Sequence, residues 1–175
     1  MKKNGGVRMF RIEIKGMALE PDLQIVQADV KVEAKGESIV DESLCVDVGL
    51  PALLYSCFEP TMPNRWAEVD DWASIPFFVC GCGDPECRAI GFRTQVLEEE
   101  GEVEWVLVEQ AEDRSYREQE LYRFPLQTYR EQVLHLAKQF LEAIDGQDYR
   151  PLMKDTEAVV RRLTDRLSRA VRVKR

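Results

Sequence analysis

Between Val26 and Ala34 every second residue is apolar (Val26, Ala28, Val30, Val32, Ala34), and the residues between them are Gln27, Asp29, Lys31 and Glu33. A period of two sends successive side chains to opposite faces, so the stretch reads as a β-strand with one face buried. Residues 7 to 14 repeat the pattern with Phe10, Ile12 and Ile14, and Glu20-Pro21-Asp22 signals a turn between the two strands. Leu44, Val46 and Val48 continue it into a third strand, which Gly49 and Pro51 stop. A short helix is expected next, over "PALLYSCFE".

Toward the C-terminus the period changes. Leu126, Tyr129, Val133, Leu136, Ala137, Phe140 and Ile144 fall at helical spacing and predict a helix from about 126 to 144, with Gly146 as its stop. Val159, Val160, Leu163, Leu167, Ala170 and Val171 predict a second over about 155 to 172, braced by the i,i+4 pairs Glu157/Arg161 and Asp165/Arg169. Strands followed by helices define an α+β class: an antiparallel sheet of N-terminal strands plus a central meander, then two C-terminal helices. The 175 residues, 45% of them hydrophobic, are expected to form one domain over 1 to 175, which needs neither disulfide nor metal merely to fold.

The centre of the chain carries the chemistry. In "FFVCGCGDPECRAIGF", residues 77 to 92, three cysteines surround a Gly-Asp-Pro-Glu turn. A four-residue loop over Gly83 to Glu86, with Pro85 setting φ, places Cys82 opposite Cys87, Val79 opposite Ile90 and Phe77 opposite Phe92. A second turn at Glu100-Gly101 pairs Val96 with Trp105 and Thr94 with Leu107. Both turns put apolar residues on one face, giving a three-stranded meander over about 75 to 110. Parity then places Cys80, Cys82 and Cys87 together on the other face. Their expected separations, about 7 Å along the strand and about 5.5 Å across it, suit three ligands of a tetrahedral zinc ion.

A fourth ligand is harder to find. Cys57, at the end of the short helix, is the candidate from a distant segment, and Asp84 is already in the loop. His135, the only histidine, falls beside Glu131, Lys138 and Glu142 on the solvated side of its helix. Cys45 alternates with Leu44 and Val46 and points away from their buried face. The bland alternative is that the three thiols are structural and no cofactor is bound; a redox or nucleophilic role is the third reading. Signatures of other enzymes are missing: there is no GxSxG, Walker loop, GxGxxG or HExxH. The acidic run Glu98, Glu99, Glu100, Glu102, Glu104 reads as a solvated hairpin tip.

Net charge is −8, which disfavours nucleic acid and anionic membrane as general partners. The last 25 residues nevertheless hold eight basic side chains against three acidic ones, a tail suited to self-association or to solvent. No stretch approaches a membrane span, and "MKKNGGVRMF" lacks the apolar run of a signal peptide, so a cytoplasmic setting with reduced thiols is expected. The loop "PTMPNRWAEVDDWAS" needs Trp66 and Trp72 to hold it down.

With its CxCG turn, a cysteine a few residues later and a tryptophan strand downstream, the segment from 75 to 110 resembles a scattered set of small bacterial proteins of no assigned activity. Cys80, Cys82, Gly83 and Cys87 are the positions that match. The resemblance implies a bacterial cytoplasmic protein; some toxin-neutralising immunity-type proteins are also similar in size and acidity. Two functions are carried forward. One is a non-enzymatic interaction protein that meets a protein partner or a second copy through the acidic sheet or through Arg65, Trp66 and Trp72. The other is a metal- or thiol-dependent enzyme using Cys80, Cys82 and Cys87, with Arg65 or Arg93 orienting an anionic substrate.

Overall fold

The computed structural model describes residues 10 to 173 apart from Val69, Gly83, Pro85 and Lys154. Residues 7 to 9 of the expected first strand, Gly83 and Pro85 of the expected turn, and Lys154, Lys174 and Arg175 of the basic tail therefore lie outside the described residues. The chain forms β1 (Phe10–Glu20), β2 (Ile25–Ala34), β3 (Glu37–Cys45), α1 (Leu50–Tyr55), β4 (Phe78–Val79), β5 (Ala89–Leu97), β6 (Glu102–Gln110), β7 (Tyr116–Pro125), α2 (Leu126–Ile144) and α3 (Thr156–Val173). The seven strands make one antiparallel sheet in sequence order, and the two long helices follow it. This is the expected α+β arrangement.

β2 buries the face its alternation marks: Val26, Val30, Val32 and Ala34 are sealed while Gln27 and Asp29 stay wet. It turns into β3 through Lys35 and Gly36, whose φ values of +54° and +82° are those of a two-residue hairpin that glycine favours. The sheet curls until its ends meet, and Phe10 of β1 stacks on Phe124 of β7 with centroids 3.9 Å apart. At the centre, Trp105 touches the rings of Phe10, Phe77, Phe92, Phe124 and Tyr129 at 4.4 to 5.5 Å. Such aromatic pairs add about 0.5–1.5 kcal/mol each beyond the area they bury. α2 lays its predicted stripe against this cluster, and α3 packs on α1 and α2. Gln132 of α2 accepts from Ile12 N–H and donates to Phe10 O, pairing backbone groups of edge strand β1 that a further strand would otherwise take.

Several sequence expectations shift. The third strand ends at Cys45 instead of running through Val46 and Val48, because Val46 to Gly49 turn the chain into α1. The central hairpin is slipped by one: Phe78 pairs with Ile90 and Val79 with Ala89, so Phe78 shares the buried face and the ladder stops before the cysteines. β5 and β6 are shifted by two, with Thr94 opposite Trp105 and Val96 opposite Val103. An even shift preserves faces, so Phe92 and Trp105 are both buried as expected. β7 has no counterpart in the sequence reading. The 60–76 loop is held less by its tryptophans, both half-buried, than by polar contacts. Asn64 N–H donates to Ser74 O at 2.6 Å, Arg65 N–H to Gln110 Oε1 at 2.8 Å, and Tyr116 OH to Pro63 O at 2.6 Å.

Candidate metal centre

The turn that joins β4 to β5 is closed at its base by Cys80 N–H donating to Arg88 O at 2.9 Å. Inside it, Asp84 shapes the chain: its carbonyl accepts from Cys87 N–H and its carboxylate from Glu86 N–H. Gly81 has φ +85° and sits directly on Cys45; a Cβ there would lie 2.7 Å from Cys45 Cβ and 3.0 Å from its sulfur. Only glycine lets the turn settle on this floor. Arg65 clamps the other side, its Nη2 donating to Cys87 O at 2.6 Å while its guanidinium lies over the Trp66 ring.

These contacts gather three sulfurs. Sγ atoms of Cys80, Cys82 and Cys87 all lie within 4.8 Å of one another; Cys82 is exposed and the other two are half-buried. Tetrahedral zinc–thiolate bonds of about 2.3 Å require sulfurs about 3.8 Å apart, so the group is within about 1 Å of a ligating arrangement. The Asp84 backbone N–H, and after it the Cys87 thiol, hold Cys82 below the ordinary thiol range. Cys87 is raised, first by its hydrogen bond with Cys80. The Asp84 N–H, and then the neighbouring thiols, thus favour the thiolate at Cys82, the outermost of the three, over that at Cys87.

Cys57 is not part of the group. It is sealed in the core, its thiol donating to Leu53 O and pushed up by burial, while its carbonyl accepts from Arg130. Cys45 does point away from the Leu44 face, but that side is covered too, by Ile25, Val48, Ile75 and Met153. Its thiol donates to Asp47 Oδ1 at 2.8 Å and is pushed up by burial and then by the Asp47 charge. His135 is exposed on α2, as expected.

A cavity of about 230 Å³ adjoins the turn, with Cys80, Cys87, Arg65 and Trp66 in its wall and Val48, Ile75 and Met153 among its apolar lining. A wider cleft of about 570 Å³ lies across the strip from Cys87 to Ala89 and shares Arg65 and Arg88 with it. The structure therefore brings Arg65 and Trp66 to the cysteines. Trp72 goes elsewhere, edge-on to Tyr55 at 5.6 Å, and Arg93 pairs with Glu118 at 2.8 Å. Met153 and Leu152, from the segment before α3, are site residues the sequence reading missed; no local pattern marks them. Arg88 was missed as well, although its place next to Cys87 was a signal.

No family model matches the chain, and no curated protein or solved structure matches it either. Among the described residues no helix is long and apolar enough to cross a membrane.

Proposed function

We propose that the protein binds one zinc ion through Cys80, Cys82 and Cys87 and leaves the fourth coordination position to a donor from outside the chain. The observation that supports this reading is the convergence of the three sulfurs beside a cavity that also holds Arg65. Closed structural zinc sites use four protein ligands, whereas sites that bind or transform a ligand keep one position open. This favours a metal-dependent site over a purely structural knuckle. The reading carries with it a reducing, cytoplasmic setting, where thiols stay available to a metal.

A second reading, a protein-contact surface at the same tip, draws on half-buried Trp66 and on Leu152, which is 52% exposed beside it. Elemental analysis and cobalt substitution test the first. One equivalent of zinc is expected after dialysis, and cobalt should give a thiolate charge-transfer band that a Cys82→Ser variant weakens. Metal-free protein whose thiols react equally fast with and without chelator would refute it.

A further inference from the structure

We infer that the 230 Å³ cavity is the subsite for the fourth ligand, and that this ligand is a small aliphatic thiol with an anionic tail. The inference rests on the zinc reading above and adds to it the class of molecule bound. Three thiolates on a divalent ion leave the centre with one net negative charge, and the Arg65 guanidinium, whose Nη2 donates to the Cys87 carbonyl at 2.6 Å, is the cation that stands beside it. A fourth thiolate completes an all-sulfur set of the kind that zinc holds in closed sites.

The cavity selects the rest of the molecule. Val48, Ile75 and Met153 offer an apolar seat for a short carbon chain. The space corresponds to about eight waters at about 30 Å³ each, below the 300 Å³ or so at which drug-sized pockets begin. The ligand is therefore of amino-acid size. Arg65, Arg88 and Asp84 stand in the same wall, and because Arg88 is ion-paired with Glu42 at 2.5 Å, Arg65 is the cation that draws a carboxylate tail to that end. On binding, the thiol displaces the water on the ion and its proton passes to solvent, so that one S–H bond is exchanged for one S–Zn bond and one hydronium ion is released.

The test uses the full chain loaded with cobalt and titrated with 3-mercaptopropionate, propionate and 2-mercaptoethylamine. The acidic thiol should intensify the charge-transfer band saturably at one equivalent, propionate should not change it, and the cationic thiol should bind at least tenfold more weakly. Ala67→Phe, which fills the cavity, should weaken the acidic thiol at least tenfold. A normal three-thiolate cobalt band with no response to the acidic thiol overturns this inference alone, as does equal or tighter binding of the cationic thiol. Failure to form the cobalt band overturns the zinc reading and the subsite with it.

Discussion

Asp47 is 1% exposed, and among the described residues its carboxylate is held by neutral donors: Val26 N–H at 3.1 Å, the Cys45 thiol at 2.8 Å and Tyr149 OH at 2.6 Å. Its burial raises the cost of ionising both neighbours. Tyr149 is pushed up by desolvation first and by the Asp47 charge second, in the same direction as Cys45. The sign follows: the unfolded chain releases protons near 9.0 for a thiol and 10.0 for a phenol, while the folded chain keeps them. Stability from these groups is complete below pH 9 and is lost as the pH rises past the unfolded values, by about 1.4 kcal/mol per pH unit for each group once it ionises. Urea denaturation at pH 8 and pH 10.5 should show the loss, and Tyr149→Phe should reduce its slope while costing about 1–3 kcal/mol at pH 8. The thiols divide in the same way. With chelator present to keep the protein metal-free, limited alkylation read by mass spectrometry should modify Cys82 first and leave Cys45 and Cys57 unlabelled until the chain unfolds. Early labelling of Cys57 would show that the core around it is open.

At the scale of the elements, what could be read from sequence depended on how differently the two faces of each segment are solvated. β2 and α2 were legible because one side of each is wet, which makes the period visible. β7 was not, because Tyr116 to Glu120 are exposed on both faces and only Tyr122 and Phe124 carry the inward alternation. The cysteine cluster was legible as a cluster but not as a ladder. Cys80 N–H donates to Arg88 O in the same register as Phe78 and Ile90, which is one residue away from that read from Gly-Asp-Pro-Glu. Cys45 was placed on the correct side, yet sequence alone does not tell that a loop and Met153 cover that side. The two registers make opposite forecasts. Phe78 is 1% exposed, so Phe78→Ala should cost about 3–5 kcal/mol, whereas truncating half-buried Val79 should cost less than half as much. Chemical denaturation of the two variants decides between them, and a reversed order would restore the sequence register.

For the whole molecule, the contact of Phe10 with Phe124 closes the curl of the sheet, joining the first and last strands through one stacked pair. Phe10→Ala should therefore lower stability by about 3–5 kcal/mol and should do so in a single transition followed alike by fluorescence and circular dichroism. Two separated transitions would mean that the halves of the sheet unfold independently. The acidic body and the basic face of α3 set the long-range field, but the cysteine turn is governed by nearer links. Gln110 of β6 holds the Arg65 backbone, and the Arg65 side chain holds the carbonyl of Cys87. The order of the 60–76 loop and the order of the turn are thus one coupled equilibrium, and coupling free energy runs equally in both directions. Whatever steadies the sulfurs must disfavour the open form of the loop that precedes them in sequence, and loss of order in that loop must weaken the sulfur cluster by the same factor.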